Sequence, residues 1–311
     1  MTNIFKSPFK RVAILGLGHI GSSIIRAMQK QGHGSIIVGH ARSAETRAVA
    51  LEIELVSEVF ENPAEAVRQA DLVILCAPVG ACGPLAAAIK NDLAPGAILT
   101  DVGSVKGAVI RDVLPHVLEG VFFIPGHPIA GTEQSGPRSG FAELFENRWH
   151  ILTPLSDNPP EKVQALEDFW KSFGAKVERM DADHHDMVLA MTSHLPHLIA
   201  YNAVTTASDL EAVTKSEVIK FSAGGFRDFT RIAASDPTMW RDVFLNNRDA
   251  VLDILGRFSE ELSVLQKAIR AGDGDKLFDV FNKARDIRRG IIEAGQDTAA
   301  PDFGRGPQHK D

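Results

Sequence analysis

Cysteine is scarce in this chain, where Cys76 and Cys82 are the only two among 311 residues. Two cysteines exclude a disulfide-rich scaffold, and a zinc site lacks further ligands at the usual spacing. The stretch "CAPVGAC" instead predicts a small strand residue followed by a residue of a turn or helix. We therefore expect neither a structural disulfide nor a metal.

Long apolar runs and an excess of positive charge are also missing. No segment approaches the ~18 apolar residues that a membrane-spanning helix needs, and the start "MTNIFKSPFK" lacks the apolar core of a signal peptide. The formal net charge of −7 argues against nucleic acid or an anionic membrane as the main partner. These absences predict a cytoplasmic protein, and its length allows roughly two domains.

Short apolar runs alternate with longer amphipathic segments over the first part of the chain. The alternation predicts an α/β fold, a Rossmann-type doubly wound parallel sheet covered by helices on both faces. The predicted strands are "RVAILGLG", "SIIVGHA", "LVSEVFE", "DLVILCAPV", "AILTDVGS", "VFFIPGHP", "RWHILTPL" and "AKVERM".

The pattern changes after "MDADHHDM", where only helical periodicity remains. Helices are predicted over 184–208, 211–222, 238–270 and 273–294. We accordingly predict a dinucleotide-binding domain over 1–182, an all-helical substrate and dimerisation domain over 183–294, and a disordered tail over 295–311. Long apolar faces such as "VLDILGRF" and "LSVLQKAI" predict a homodimer that forms through the helical domain.

The stretch "GLGHIGSS" places Gly16, Gly18 and Gly21 in a G-x-G-x-x-G pattern, directly after a predicted strand and before a predicted helix. In such loops the first glycine makes the turn, the second lets the backbone approach a pyrophosphate, and the third allows close packing. The phosphates then meet free N–H groups at the helix N-terminus. The context indicates dinucleotide binding, and the alternative is a glycine-rich packing turn.

The end of the second strand, "VGHARS", bears on the choice of nucleotide. NAD enzymes usually carry an acidic residue there for the ribose hydroxyls, whereas this chain has Ala41. Arg42 can pair with a 2′-phosphate, which favours NADP or dual use over NAD alone. Alternatively, Arg42 is a solvated loop cation or stacks on the adenine of NAD. The predicted cofactor-binding residues are Gly16, Gly18, His19, Ile20, Gly21, His40, Ala41, Arg42, Ser43, Ala77, Pro78 and Ser104.

Two later strand ends, "DVGSVKG" and "PGHPIAGTEQSG", carry candidates for catalysis. Because ligands bind at the carboxyl ends of strands in such a sheet, Ser104 and His127 are expected to face one cavity. His127 can accept a proton at physiological pH, and Pro128 holds it in an extended conformation. The alternative is a histidine that only bonds a neighbour. Lys106 either contacts substrate or phosphate, or faces solvent at the start of a helix.

The helical segment adds two pairs of candidates. His194 and His197 share a helix face if the helix continues through Pro196, and they are interpreted as donors to a carboxylate or as core histidines. As metal ligands they would lack a third partner. Arg227 and Arg231 are four residues apart. An arginine there suits a fork that grips a substrate carboxylate, or an ion pair with a neighbouring aspartate.

Together these stretches resemble the prephenate/arogenate dehydrogenase family, the cyclohexadienyl dehydrogenases of tyrosine biosynthesis. The motifs "GLGHIGSS", "DVGSVKG", "GHPIAGTEQSG", "TSHLPH" and "GGFRDFTRIAASDPTMWRD" occur in the order and spacing of that family. The resemblance implies an oxidoreductase that decarboxylates prephenate to 4-hydroxyphenylpyruvate, or arogenate to tyrosine, while reducing NAD or NADP. We expect this chain to lack the chorismate mutase or regulatory extension that some members carry. Ala41 departs from members that carry an acidic residue at this position.

The resemblance also implies a role for each site residue. His127 would accept the proton of the substrate's 4-hydroxyl group, and Ser104 would hydrogen-bond both that hydroxyl and His127. Arg231 would bind a carboxylate of the small dicarboxylate substrate, and His197 would contact the substrate. The implied pocket or gate positions are Thr132, Glu133, Gly224, Asp228 and Trp240.

Two other functions fit part of the sequence. Another Rossmann-type dehydrogenase or reductase, acting on a small acid or imine, would generally use a helix-borne lysine, and "GHPIAGTE" separates this chain from that class. A non-catalytic nucleotide-binding redox sensor would need the glycine loop but neither a base nor a carboxylate clamp.

Overall fold

The computed structural model describes residues 7–132, 134–214 and 224–293. The chain divides into two compact units, Met1–Leu252 and Asp253–Asp311. Glu133, part of the predicted helix 211–222 and the predicted tail 295–311 lie outside the described residues. The domain limits drawn from the sequence stay a prediction. No helix in the described ranges is long and apolar enough to cross a membrane.

Six parallel strands form the main sheet. Its strands are β1 (Arg11–Leu15), β2 (Ile36–His40), β3 (Glu58–Phe60), β4 (Leu72–Leu75), β5 (Ile98–Asp101) and β6 (Phe122–Phe123). They are ordered β3-β2-β1-β4-β5-β6, and every neighbouring pair is parallel. The strand order reverses between β1 and β4, which is the switch point where such sheets bind ligands. This confirms the predicted Rossmann-type sheet.

Helices alternate with the strands in the first part of the chain, and the described residues after β9 are mainly helical. Those that follow the strands are α1 (His19–Gln31), α2 (Ala44–Glu52), α3 (Pro63–Val67), α4 (Val79–Ile89), α5 (Lys106–Val113) and α6 (Pro160–Lys171). Those of the later, all-helical part are α7 (Ala182–Leu189), α8 (Leu195–Thr214), α9 (Gly224–Thr230), α10 (Pro237–Asn246), α11 (Arg248–Ala271) and α12 (Gly274–Glu293).

Helices cover both faces of the sheet. Successive side chains of a strand point to opposite faces, so each strand contributes to both. In β4, Leu72 and Ile74 pack in a cluster with residues of α1 and α6. Val73 and Leu75 of the same strand pack in a second cluster with residues of α4 and α5. A strand that is buried on both faces reads as an unbroken apolar run, which is why "LVIL" was recognisable.

The predicted strand "VFFIPGHP" is in fact two strands in two sheets. After β6, the chain forms β7 (Gly126–Pro128), which pairs antiparallel with β8 (Trp149–Leu152), and β8 pairs parallel with β9 (Lys176–Arg179). Pro125 has no N–H to continue the ladder of the main sheet, and its carbonyl accepts from the N–H of Thr153 at 3.0 Å. The prediction of one continuous strand was therefore wrong.

Two helices that were predicted to be continuous are interrupted. The segment 184–208 contains a π-helical turn, Ala190–His194, between α7 and α8. Pro196 follows this turn and lacks an N–H for a regular α-helical bond, and wider turns of this kind often occur at functional sites. The segment 238–270 is interrupted at Asn247, between α10 and α11. Local periodicity continues across both breaks and so did not reveal them.

Candidate active site

The glycine loop between β1 and α1 has the backbone geometry of a dinucleotide loop. Gly16 adopts a φ of +118°, and a Cβ there would lie 2.1 Å from the carbonyl oxygen of Cys76. A Cβ at Gly21 would lie 2.0 Å from the carbonyl oxygen of Gly16. At Gly18, which precedes α1, no atom of the described residues lies within 4 Å of the Cβ position. A phosphate therefore has room beside the helix N-terminus, and the residues present fit a dinucleotide.

The end of β2 carries the residues predicted to meet the adenosine ribose. His40 is buried, and its Nδ1 lies 3.1 Å from the carbonyl oxygen of Phe60. Arg47 donates from Nη1 to the carbonyl oxygens of Ala41 and Arg42, at 2.9 Å each, which fixes the turn after the strand. Arg42 itself is exposed. Its guanidinium is thus presented to solvent beside a position that carries no carboxylate.

The remaining predicted cofactor residues stand at neighbouring strand ends and helix starts. His19 and Ile20 open α1, and Nδ1 of His19 lies 3.1 Å from the carbonyl oxygen of Ser139. The hydroxyl of Ser43 accepts from the N–H of Thr46 at 3.4 Å and caps α2. The other two, which directly precede α4, are Ala77 and Pro78. Their contacts with a bound cofactor stay a prediction.

A buried ion pair anchors the strand that carries His127. Lys106, which is fully buried in the first turn of α5, donates from Nζ to Asp101 and, at 2.6 Å, to the carbonyl oxygen of Gly126. Asp101 also accepts from the N–H groups of Gly103 at 2.7 Å and of Gly126 at 3.2 Å. The pair therefore ties the carboxyl end of β5 to the start of β7. Lys106 opens a helix as one interpretation had it, but its predicted exposure to solvent was wrong, because the side chain is fully buried in the ion pair.

His127 is the first of three linked polar groups. Its Nδ1 lies 2.9 Å from Nε2 of His185, and Nδ1 of His185 lies 2.8 Å from Oδ1 of Asp186. Asp186 also accepts from the backbone N–H groups of Lys106 at 2.7 Å and Gly107 at 2.8 Å, the first two residues of α5. The imidazole of His127 is therefore oriented by α7 as well as by its own strand.

Burial determines the protonation of these histidines. It holds the pKa of His127 well below the usual range, and the charges of His185 and Lys106 act in the same direction. Burial also lowers the pKa of His185, although the hydrogen bond to Asp186 opposes that effect. His127 is consequently neutral near pH 7 and has one ring nitrogen able to accept a proton.

His194 and His197 face different partners. Nδ2 of Asn247 lies 3.0 Å from Nδ1 of the fully buried His194. His197 donates from Nδ1 to the carbonyl oxygen of Ser193 at 2.9 Å and stacks on Trp240, with ring centroids 3.6 Å apart. Nε2 of His194 and Nε1 of Trp240 are buried and have no hydrogen-bond partner among the described residues.

Electrostatic effects connect Arg231 with this group of histidines. Arg231 is exposed at the start of a 3₁₀ turn that follows α9. Burial lowers the pKa of His197, and the positive charge of Arg231 adds to that effect against the hydrogen bond to Ser193. The charge of His194 in turn contributes to lowering the pKa of His127. The convergence of Arg231 and His127 on one substrate stays a prediction.

Neither Ser104 nor Thr132 forms a hydrogen bond with His127 among the described residues. Ser104 is half-buried in the loop between β5 and α5, whereas Nδ1 of His127 is directed at His185. Thr132 is exposed, and its hydroxyl accepts from the N–H of Gln134 at 3.3 Å. The substrate-binding or catalytic roles of Ser104 and Thr132 stay predictions.

Gly224 and Asp228 are both half-buried in α9. Asp228 forms an ion pair with Arg227, whose Nε lies 3.7 Å from Oδ1, in agreement with the ion-pair interpretation of that arginine. The predicted places of Gly224 and Asp228 at a substrate pocket stay predictions. Within the described ranges, no group of three or more His, Cys, Asp or Glu side chains is arranged to hold a metal ion.

The sequence patterns did not indicate His185 and Asp186 as site residues. Both belong to "DADHHDM", which served only to mark the end of the strand–helix alternation. His185 is 58 residues from His127, and Asp186 is 80 residues from Lys106, so no local spacing relates them. The one available signal was an adjacent histidine and aspartate in a short polar run.

Two family models match consecutive parts of the chain. One is described as the nucleotide-binding domain of prephenate dehydrogenase and matches residues 24–179. The other is described as the dimerization domain of prephenate dehydrogenase and matches residues 181–283. Together they span most of the described residues.

Individual relatives are similar over nearly the whole chain. A cyclohexadienyl dehydrogenase from Zymomonas mobilis is 42% identical over 280 residues, which cover 90% of this chain and 95% of the relative. A prephenate dehydrogenase from Bacillus subtilis is 34% identical, over 90% of this chain and 76% of the relative. The crystal structure of prephenate dehydrogenase from A. aeolicus in complex with hydroxyphenyl propionate and NAD+ superposes with a TM-score of 0.85 at 31% identity, covering 91% of this chain and 98% of the other.

Proposed function

Because the chain belongs to the prephenate dehydrogenase family, we propose that His127 accepts the proton and Arg231 holds a carboxylate in the reaction of that family. The protein is an NAD(P)-dependent dehydrogenase that oxidatively decarboxylates prephenate, arogenate or both in tyrosine biosynthesis. The roles of individual residues, the cofactor preference and the oligomeric state are the proposed parts.

The reaction requires one proton acceptor and precise alignment. A hydride leaves the ring carbon that bears the 4-hydroxyl group, the hydroxyl passes its proton to the base, and the ring carboxylate departs as CO2. The electron pair of the broken C–C bond enters the ring, and the ring oxygen regains a proton to give the phenol. The ring becomes aromatic, which supplies a driving force. Bound NAD(P) supplies the hydride acceptor. The protein has to orient the substrate, which can lower the barrier by about 7–11 kcal/mol, and to take up the hydroxyl proton.

The observation that carries the assignment of His127 is its anchorage at the carboxyl end of the sheet. Lys106 donates to both Asp101 of β5 and the carbonyl oxygen of Gly126, next to His127. This anchors the backbone next to His127 near the strand ends, where Rossmann-type sheets bind ligands. Burial keeps the pKa of His127 low, so the ring is neutral and ready to accept a proton.

The substrate carries two acidic groups, or a carboxylate and an amino acid group, so its binding requires a cation. We propose that Arg231 supplies this cation and that the His197–Trp240 stack lies against the substrate. The support is the stack itself, whose ring centroids are 3.6 Å apart, and the charge of Arg231, which contributes to lowering the pKa of His197. Thr132, Glu133, Gly224 and Asp228 are proposed as further pocket or gate positions, and Ser104 as a hydrogen-bond donor to the hydroxyl group.

Replacing Arg231 with glutamine is expected to raise the KM for substrate by about tenfold to a hundredfold with kcat little changed, because a charge-assisted hydrogen bond contributes about 1.5–3 kcal/mol. Steady-state kinetics with prephenate measure both constants. Arg227→Gln is a matched control, since Arg227 is 77% exposed and pairs with Asp228. An unchanged KM with a lower kcat for Arg231→Gln would contradict a binding role.

We propose that the enzyme accepts NADP, alone or alongside NAD. The support is the exposed Arg42 beside Ala41, together with the Arg47 hydrogen bonds that fix the turn. A 2′-phosphate meets a guanidinium there and no carboxylate repels it. Arg42→Ala should then lower kcat/KM for NADP by about tenfold and leave NAD nearly unaffected. An equal loss with both cofactors, or activity with NAD alone, would contradict the proposal.

One assay tests the function as a whole. Protein is mixed with prephenate or arogenate and with NAD or NADP, and the absorbance of the reduced cofactor is followed. We expect reduction in at least one of the four mixtures, with release of CO2. A small hydroxy acid or imine that is turned over in place of both substrates would favour the other dehydrogenase class, and cofactor binding without any turnover would favour a redox sensor.

We also propose a homodimer. The second compact unit exposes large apolar side chains along α11 and α12, which is unusual for a free surface and typical of an interface. These side chains are Leu262, Val264, Ile269, Phe278, Phe281 and Ile287. Gel filtration with light scattering should give twice the chain mass of 33.7 kDa. A monomer at micromolar concentration would contradict the proposal, and Phe278→Glu with Phe281→Glu should produce one.

A further inference from the structure

A short relay of hydrogen bonds leads from the start of α5 to the ring of His127. Asp186 accepts from the N–H groups of Lys106 and Gly107 and lies 2.8 Å from Nδ1 of His185. His185, fully buried, then lies 2.9 Å from Nδ1 of His127 through its Nε2. Each contact has a direction that follows from which atom carries a proton.

Asp186 determines which atoms of the relay donate and which accept. An ionised carboxylate only accepts hydrogen bonds, and the two N–H groups of α5 already point at it. Nδ1 of His185 must therefore carry a proton that it donates to Asp186. In the neutral ring, Nε2 of His185 then has a lone pair, and the only arrangement that forms a hydrogen bond is donation from Nδ1–H of His127.

We propose that His185, held by Asp186, is a positioning residue that keeps the proton of neutral His127 on Nδ1 and thereby leaves its Nε2 free to accept the substrate's proton. The inference rests on the proposed role of His127 as the base. Two residues of α7 thereby select the reactive tautomer of His127 and fix the plane of its ring. In Ser-His-Asp triads the aspartate orients the catalytic histidine directly, whereas here His185 lies between Asp186 and His127.

The opposite polarity is disfavoured. If Nε2 of His185 donated to His127, a neutral His185 would turn a lone pair toward the carboxylate of Asp186. A charged His185 would avoid this but would hold the His127 proton on Nε2 and disable the base. Burial lowers the pKa of His185, which keeps it neutral near pH 7. The groups whose charges act on the two rings are Lys106, Asp101, Asp186, His150 and His194.

The surrounding structure keeps the relay in place. Asn247, at the break between α10 and α11, donates from Nδ2 to the backbone carbonyl of Asp186 at 2.9 Å. The N–H of His185 donates to the carbonyl oxygen of Asp181 at 2.9 Å at the start of α7. Both residues of the relay are thus fixed through their backbones as well as their side chains.

Nitrogen NMR of the whole enzyme labelled with 15N-histidine tests the tautomer directly, because two-bond couplings identify the protonated ring nitrogen. We expect His127 to carry its proton on Nδ1 in the wild type. A His127 protonated on Nε2 would overturn the proposal. This result does not depend on turnover, so it separates the relay from the assignment of the base, which His127→Asn tests.

Kinetics of two variants give the second test. His185→Phe removes the acceptor for Nδ1–H, and kcat is expected to fall about tenfold to a hundredfold with both KM values within about twofold of wild type. His185→Gln restores an acceptor oxygen and should recover most of the loss. His33→Phe is the control, because His33 is also buried and its Nε2 lies 2.8 Å from the hydroxyl oxygen of Ser172. Equal losses in the Phe and Gln variants, or the same loss in the control, would overturn the proposal.

Discussion

Replacing His127 with asparagine is expected to lower kcat by at least about a hundredfold while the Kd for NAD(P) stays near the wild-type value. Positioned general bases contribute about 10²–10⁴-fold to a rate. The asparagine side chain can still hydrogen-bond but cannot take up a proton near pH 7. Absorbance of the reduced cofactor gives the rate, and a fluorescence titration gives the affinity. Wild-type turnover in this variant would rule out His127 as the base.

The pH dependence of the wild type supports the same test. A base acts only when unprotonated, and burial moves the pKa of His127 downward, so activity should persist below about pH 6.5.

His33→Asn is the matched control for His127→Asn. Burial lowers the pKa of His33 to about 4, yet its ring packs on Phe173, with centroids 5.2 Å apart, away from the relay. The control should keep the wild-type rate.

The largest effect on stability is expected for Lys106→Met, which should lower the free energy of unfolding by about 3–5 kcal/mol. Lys106 and Asp101 are both fully buried, so removing the ammonium leaves a buried carboxylate without its counter-charge. Among the described residues, the N–H groups of Gly103 and Gly126 would remain as the partners of Asp101. Urea unfolding followed by circular dichroism measures the change.

Two further variants test whether the loss of stability comes from the unpaired buried charge. Lys30→Met removes a cation from a surface pair with Glu143 and Glu146 and should change stability little, because solvent screens exposed charges. Adding Asp101→Asn to Lys106→Met should recover part of the loss, since no unpaired charge is then buried. If Lys106→Met unfolded at the wild-type urea concentration, the ion pair would not anchor the strand of His127.

Several features of the fold follow from short stretches of sequence. The glycine loop is one, because the positive φ of Gly16 and the close approach of Gly21 to the carbonyl oxygen of Gly16 are properties of the local backbone. The buried strand β4 is another, because an unbroken apolar run needs cover on both faces. The breaks at Pro125 and Asn247 were harder to predict, because a proline or an asparagine does not by itself show where the chain pairs or packs next. Each break depends on hydrogen bonds to residues elsewhere in the chain.

The sequence by itself determined the Rossmann-type order of strands and helices, the dinucleotide loop and the candidacy of His127, because each depends on residues that are close together in the chain. Only the tertiary structure decided that Lys106 is a buried anchor and that His185 and Asp186 orient the ring of His127. Those relations join residues up to 80 positions apart. They exist because α7 packs against the start of α5, and no spacing in the sequence encodes which distant polar groups such packing brings within 3 Å.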